Sequence, residues 1–218
     1  MRWVAAVFLL VGCREASAPT TTRGAVFFRD FVPGYQMVAS REYTLSAFGS
    51  AWEHVEYLEA TPTDGGRVRC LDAIRARAAA DATVDVVFLS HGNSYDRWLA
   101  DLEAPVRQKL RLVYSTGASG ASQGPAMVRL GARAYVGHPG GNVAPLFYRA
   151  FLKRWVGGVP LRTAVDDGNT ETKDDLTGSM MKGLARGLDA VGGPHLDPPS
   201  LWAGTEAQVF GDASLLQH

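Results

Sequence analysis

Short apolar runs alternate with helix-like patterns along the chain, and this alternation predicts its secondary structure. VDVVFLS (84–90) is almost wholly apolar, as expected of a strand buried on both faces of a parallel sheet. GTEAQVFGD (204–212) is typical of a final edge strand. Further strands are predicted over 25–31, 54–60, 110–116 and 132–138.

Apolar residues at helical spacing predict helices between these strands. One helix is expected over 66–80. Another is expected to start at an N-cap on Ser122, with Pro125 in its first turn and Gly131 after its end. Three more helices are predicted, one with Val143, Leu146, Phe147, Ala150 and Phe151 on one face, a short one starting in 159–169, and one with Leu176, Met180, Met181, Leu184 and Leu188.

Strands separated by helices predict a three-layer α/β/α sandwich with a mostly parallel sheet, formed by one domain over 24–218. In such sheets the chemistry gathers at the carboxyl ends of the strands. His91, the loop 115–122 and His138 each follow a predicted strand. The sequence therefore predicts that these three features face one crevice, while the strand order cannot be read from it.

The first residues are expected to be a targeting segment rather than part of the domain. An apolar run from Trp3 to Val11 has the length of a signal-peptide core and is too short to span a bilayer. Leu10-Val11-Gly12-Cys13 resembles a bacterial lipobox, which implies a signal peptide over 1–12, lipidation of Cys13 and a polar tether over 13–23. Arg14 after the cysteine favours the outer over the inner membrane. A plain secretory signal, which would make the protein secreted, is the alternative.

Composition narrows the function classes. The chain has 218 residues and equal numbers of basic and acidic side chains, so it carries no electrostatic footprint for nucleic acid. No G-x-G-x-x-G follows a strand, so no dinucleotide cofactor is predicted, and no other cofactor is indicated. With Cys13 lipidated, Cys70 has no disulfide partner, and its helical pattern predicts a small buried side chain rather than a nucleophile.

Two strand ends carry the residues that indicate hydrolase chemistry. His91 closes one buried strand and is followed by Gly92, which allows the backbone to turn sharply. The next strand ends in Ser115-Thr116-Gly117-Ala118-Ser119-Gly120. The amides of Gly117 and Gly120 are candidate oxyanion donors. A base beside a small-residue oxyanion loop is typical of nucleophilic hydrolases.

This pattern resembles the caspase-like cysteine peptidases, which include caspases, metacaspases, gingipains, clostripain and the CHAT-type proteases. In that family a His-Gly ends one strand and an Ala-Cys-x-Gly motif, or a similar one, ends the next. The resemblance covers roughly residues 84–169. It includes the stretch LGARAYVGHPGGNVAPLFYRAFLKRWVGGVPLRTAVDDGN, which is similar to the segment after the catalytic cysteine in CHAT-type members.

The resemblance implies a role for each matching residue. His91 takes the place of the catalytic histidine, and Gly92 that of a glycine whose amide helps to form the oxyanion hole. Ala118 stands where the nucleophilic cysteine is expected, and alanine can neither attack a carbonyl nor give a proton to His91. The expectation is therefore a degenerate peptidase-like domain that binds a peptide or protein partner.

Two alternatives keep an active hydrolase. In one, Ser119 attacks with His91 as its base, although a serine needs more activation than a thiol. In the other, alanine has replaced a natural cysteine at position 118. A further function class is a doubly wound ligand-binding module unrelated to peptidases. The ordinary role of the hydroxyls of Ser115, Thr116, Ser119 and Ser122 is to cap the helix and satisfy loop amides.

Other chemistry-bearing residues carry weaker signals. His138 is most simply a loop histidine, and a metal site formed by His91, His138 and Asp96 lacks a local ligand spacing, so no metal is predicted. Asp96, Asp101, Asp166 and Asp167 are expected to be solvated surface charges, and Trp98, Trp155 and Trp202 to be core or core-edge residues.

Overall fold

The computed structural model describes residues 22–30, 41–44, 51–61, 65–92, 94–140, 144–178, 182 and 204–217. Its strands are β1 (Arg23–Arg29), β2 (His54–Glu59), β3 (Thr83–Leu89), β4 (Leu110–Ser115), β5 (Ala134–Gly137) and β6 (Gln208–Gly211). Its helices are α1 (Arg67–Ala80), α2 (Tyr95–Leu99), α3 (Ala104–Arg107), α4 (Gly124–Leu130), α5 (Ala144–Val156) and α6 (Leu161–Thr177), with a 3₁₀ helix over Gly120–Gln123. Residues 41–44 are also helical.

The six strands form one sheet in the order β2-β1-β3-β4-β5-β6. The first five are mutually parallel, and β6 pairs with β5 in the antiparallel sense. The mostly parallel sheet is confirmed, as is a final edge strand within 204–212. The apolar stretch predicted as a buried strand is β3, which lies between β1 and β4 and buries six of its seven residues.

Apolar side chains cover both faces of the sheet. On one face, Phe27, Leu89 and Tyr114 pack in a cluster with residues of α5 and α6. On the other, Val26 and Phe88 pack with residues of α1, α2 and α4. This arrangement confirms the three-layer α/β/α sandwich. Among the residues that the structure describes, no helix is long and apolar enough to cross a membrane.

The fourth helix begins differently from the prediction. Ser122 is not its N-cap, because residues 120–123 form a 3₁₀ turn and Gln123 takes the N-cap position of α4. The hydroxyl of Ser122 instead donates to the Ser119 carbonyl at 2.7 Å. Pro125 in the first turn and Gly131 after the last, at φ 119°, are both confirmed.

The helix that starts in 159–169 was predicted to be short, and this was wrong. The helix α6 runs through Gly168 to Thr177 and contains Leu176, which the sequence assigned to a separate helix. Gly168 is buried against α5, where an added Cβ would lie 3.1 Å from Phe147 Cε2. The glycine therefore permits close helix packing instead of ending the helix. Met180, Met181, Leu184, Leu188 and Val143 lie outside the described residues.

A buried ion pair ties β3 to β4 at their amino-terminal ends. Arg111 Nε donates to Asp85 Oδ1 at 2.9 Å, and Arg111 Nη2 contacts Asp85 Oδ2. The same carboxylate accepts Trp52 Nε1–H at 2.8 Å and the Leu112 N–H at 3.1 Å. Arg111 also donates to the Gln217 carbonyl at 3.0 Å. The cluster therefore fixes the C-terminal segment to this edge of the sheet.

The N-terminal predictions fall mostly outside the described residues. The signal peptide over 1–12 and the lipidation site Cys13 belong to this part of the chain. Arg23, the last residue assigned to the tether, is the first residue of β1. The described chain therefore enters β1 at the amino-terminal edge of the parallel strands.

Candidate functional site at the carboxyl edge of β3 and β4

The two strand ends that the sequence singled out lie side by side. β3 and β4 are neighbours in the sheet, and His91 and Ala118 follow their carboxyl ends. The Ala118 N–H donates to the His91 carbonyl at 2.9 Å. Position 118 therefore lies directly beside the candidate catalytic histidine.

Thr116 joins the two loops one residue beyond the strand ladder. Its Oγ1 accepts the Ser90 N–H at 2.8 Å and donates to the Ser90 carbonyl at 3.1 Å. Both residues are buried, at 4% exposure. This reciprocal pair fixes the backbone that leads into His91, and Thr116 was predicted only as a hydroxyl that satisfies a loop amide.

Gly117 allows the loops to approach at van der Waals distance. An added Cβ at Gly117 would lie 2.8 Å from the Gly92 Cα and 3.0 Å from Ser90 Oγ. Gly92 has φ 147°, a backbone conformation that residues other than glycine rarely adopt. Both glycines are therefore required where the β3 and β4 loops meet.

The amides of the 117–120 loop are engaged within the protein. The Gly117 N–H donates to Ser115 Oγ at 3.3 Å, and the Gly120 N–H donates to the Gly117 carbonyl at 3.2 Å. The Ser119 N–H donates to the Gly140 carbonyl at 3.2 Å. Both amides predicted as oxyanion donors, those of Gly117 and Gly120, thus already have acceptors.

Ser119 has an unusual backbone conformation at the turn from β4 into the following helices. It is exposed and has φ 59° and ψ 14°, and it is the one non-glycine residue with positive φ in the described part of the chain. A serine in this left-handed region carries a modest conformational cost. Ala118 beside it is also exposed.

His91 and Gly92 complete the exposed surface of the site. Both are exposed, and no other described residue hydrogen-bonds to the His91 ring or to the Gly92 N–H. An imidazole and one backbone donor are thus available to an incoming molecule beside Ala118.

His138 does not share this surface. It is buried, its Nδ1–H donates to the Thr205 carbonyl at 2.6 Å, and its Nε2 lies 3.3 Å from the Tyr114 hydroxyl. Burial lowers its pKa from 6.5 to about 4, although the bond to Thr205 opposes this shift. His138 follows the end of β5 and lies outside the strands and helices, as predicted, but it is a buried neutral residue and does not face the crevice.

The remaining candidates lie apart from the site or serve structural roles. The Asp96 N–H donates to Gln123 Oε1 at 3.2 Å, and the Asp101 carboxylate pairs with Arg67. Asp167 lies 3.4 Å from Arg154 Nε on the exposed surface of α6. Within the ranges described above, no group of three or more His, Cys, Asp or Glu residues could hold a metal ion.

Cys70 and the tryptophans were predicted to have structural roles. Cys70 is fully buried on α1, and burial raises its pKa to about 12, so the prediction of an inert buried thiol is confirmed. Trp155 is buried in the core, and Trp98 is partly buried at its edge. Trp202 lies outside the described residues.

A scan against models of known protein families finds no match to this chain, and a search of curated proteins finds no significant match.

Proposed function

We propose that the carboxyl edge of β3 and β4 is a peptidase-type cleft that lacks a nucleophile and binds a peptide or protein partner. The observation that carries this proposal is the contact between Ala118 and His91 across the two loops. This contact supports the proposal because His91, the close-packed glycines and the small-residue loop, which the resemblance to caspase-like peptidases implies for a catalytic site, lie together here. The residue beside the histidine is an alanine.

The hydrogen bonds of the loop argue against turnover in this arrangement. Acyl transfer needs a nucleophile, and it needs donors aimed at the position where the oxyanion develops. Ala118 offers no nucleophile, and its own N–H is bound to the His91 carbonyl. The Gly92 N–H and the His91 ring can still hydrogen-bond to the carbonyl groups of an extended peptide.

Binding is tested with a variant that fills the cleft. The full chain is incubated with a peptide library, and the bound peptides are identified and titrated. Ala118→Trp should abolish binding because the indole occupies the exposed position beside His91. Ala79→Trp, at an exposed position on α1, is the matched control and should bind as the parent does. Equal binding by both variants would contradict the proposal.

A second candidate is a serine hydrolase that uses Ser119. One observation favours it, namely the positive φ that exposes Ser119 at a strand-to-helix turn, as in the nucleophile elbow of other hydrolases. In that elbow the amide after the nucleophile serves the oxyanion hole, whereas the Gly120 N–H here donates to the Gly117 carbonyl. Peptide cleavage by the unmodified chain that Ser119→Ala abolishes would establish this candidate and overturn the first.

The proposal includes attachment to the bacterial envelope through a lipid on Cys13. Its support is the lipobox-like sequence that ends at this cysteine and the polar stretch that follows it. Incorporation of labelled palmitate should be lost in Cys13→Ser. Equal labelling of that variant would exclude this anchor.

A further inference from the structure

A cavity lies at the amino-terminal edge of the sheet, opposite the candidate peptide cleft. Its volume is about 420 Å³. It is lined by Arg23, Thr83, Arg111, Arg133, Asp212, Ser214, Leu215 and Leu216. Three guanidinium groups and one carboxylate therefore line a single opening.

Two of the arginines keep donors for a ligand. The Arg23 guanidinium approaches a carboxylate only through Nη2, which lies 3.7 Å from Glu53 Oε1 within the described residues, and this distance is longer than a hydrogen bond. Arg133 makes one bond, from Nη2 to Asp212 Oδ2 at 2.9 Å, and its side chain is 56% exposed. Each guanidinium has five N–H donors, so most of them are available.

Arg111 forms the wall between these two residues. Its Nε and Nη2 bind Asp85, and its remaining donors bind the Leu216 and Gln217 carbonyls and Gln217 Oε1. All of its donors are thus engaged, and Asp85 balances its charge. Arg111 shapes the cavity and leaves recognition to Arg23 and Arg133.

The carboxylates that lie next to Arg133 and Arg23, namely Asp212 in the lining and Glu53 outside it, are themselves occupied. Asp212 Oδ1 accepts the Ser214 hydroxyl at 2.7 Å and the Ser214 N–H at 3.1 Å, while Oδ2 accepts from Arg133. Hydrogen bonds from Ser214 and Arg133 hold the pKa of Asp212 below its usual value. Glu53 Oε2 accepts the Arg23 backbone N–H at 2.9 Å. Both carboxylates stay charged and limit how strongly an anion can bind.

The spacing of the two arginines indicates the shape of the ligand. Arg23 begins β1 and Arg133 precedes β5, and these strands are separated by β3 and β4. Three strand spacings amount to about 14 Å, so the two side chains approach a shared ligand from opposite ends. A carboxylate is planar and presents both oxygens to one bidentate guanidinium. The oxygens of a phosphate point in tetrahedral directions, so they can also accept from a second arginine on the opposite side and from the Thr83 hydroxyl.

We propose that this cavity binds a phosphate group through Arg23 and Arg133. The phosphate can belong to a soluble phosphate compound or to an anionic lipid headgroup. Leu216, which is 47% exposed at the rim, and the entry of the chain at Arg23 are consistent with either source.

Calorimetric titration of the full chain with inorganic phosphate, against chloride at equal ionic strength, tests the proposal. Arg23→Gln and Arg133→Gln should each weaken phosphate binding about tenfold, since each removes one charge-assisted contact. Asp212→Asn should strengthen binding because it removes the one carboxylate in the lining. Arg97→Gln removes the same charge at the opposite edge and should bind as the parent does.

Vesicles of phosphatidylglycerol and of phosphatidylcholine distinguish the two sources. Binding that depends on phosphatidylglycerol and is reduced equally in Arg23→Gln and Arg133→Gln indicates a lipid headgroup. Binding of inorganic phosphate without this dependence indicates a soluble compound. The proposal would be overturned if phosphate released or absorbed no more heat than chloride. It would also be overturned if Arg97→Gln weakened phosphate binding as much as Arg23→Gln and Arg133→Gln do.

Discussion

At the residue scale, the neighbours of Ala118 are more tightly constrained than Ala118 itself. Gly117 packs against the Gly92 backbone, where an added Cβ would come within 2.8 Å of the Gly92 Cα. Ser119 takes a left-handed conformation in which a glycine would be unstrained. The exposed alanine between them can accept a larger side chain. The loop is therefore rigid where it meets His91 and open at position 118.

Two substitutions in this loop should distinguish the effect of steric crowding on stability from the effect of backbone strain. Gly117→Ala should lower the free energy of unfolding by about 1–3 kcal/mol, because its methyl group overlaps the backbone of the neighbouring loop. Ser119→Gly should leave it nearly unchanged, because relief of the positive φ offsets the added freedom of the unfolded chain. Urea denaturation measures both. If Gly117→Ala lowered the free energy of unfolding no more than Ser119→Gly does, the loops after β3 and β4 would be able to move apart freely.

Buried His138 should make stability depend on pH. Its folded pKa of about 4 lies below the unfolded value of 6.5, so the unfolded state takes up the proton first. Its contribution to stability is complete above pH 6.5 and is lost as the pH falls from 6.5 towards 4, by about 3 kcal/mol in all.

The His138→Asn variant isolates this contribution. An asparagine amide can still donate to the Thr205 carbonyl but does not titrate in this range. Between pH 7 and pH 5, the variant should lose less stability than the parent in denaturant titrations. Parallel losses in the two proteins would show that His138 takes up no proton on unfolding.

The sequence could place the site residues but not their hydrogen bonds. His91 and Ala118 were predicted at the ends of two strands, and each strand was predicted to within one residue of its observed bounds. The amides of Gly117 and Gly120 were predicted to be available, yet both donate within the loop, and the neighbouring Ser119 N–H donates to the Gly140 carbonyl. That acceptor comes from the loop after β5, about twenty residues along the chain. The pattern of residues around Ser119 in the sequence does not indicate a hydrogen bond to such a distant segment.

At the element scale, β3 and β4 are tied together at both ends. The Asp85–Arg111 pair joins their amino-terminal ends, and the Ser90–Thr116 pair joins the loops after their carboxyl ends. The ladder between the strands shifts register between Val84 and Val86, where the Asp85 carboxylate accepts the Leu112 N–H in place of a backbone group. The buried carboxylate thus takes part in strand pairing.

Removal of Arg111 should have a large effect on this pair of strands. Arg111→Met leaves the Asp85 charge buried and should cost about 3–5 kcal/mol of unfolding free energy. Adding Asp85→Asn should recover part of the loss. Hydrogen exchange should also become faster at 215–217, because the Gln217 carbonyl loses its donor. An unchanged exchange rate there would show that Arg111 does not hold the C-terminal segment.

The length of α6 shows where element prediction fails. The helix that starts in 159–169 was predicted to be short, and the low helix propensity of its interior Gly168 also favours a short helix. In the structure, its missing side chain lets α6 pack on Phe147 and Phe151 of α5. This tertiary contact outweighs the local preference, and the sequence of α6 alone does not contain it.

At the scale of the whole molecule, the two proposed sites occupy opposite edges of one sheet. The seven residues of β3 separate them by about 23 Å. The chain enters β1 at the edge that holds the proposed phosphate cavity. The sandwich was predictable from alternating elements, but the strand order depends on pairing between distant segments.

The rate at which iodoacetamide alkylates Ala118→Cys at pH 6.5 tests the central claim most directly. Mass spectrometric mapping separates this position from Cys13 and from Cys70, whose thiol is buried. If the edge is a cysteine-peptidase site without its nucleophile, His91 should favour the thiolate of the introduced thiol. Alkylation should then be at least tenfold faster than in Ala79→Cys, and His91→Ala should abolish the difference. Equal rates at the two positions, unchanged by His91→Ala, would contradict the account.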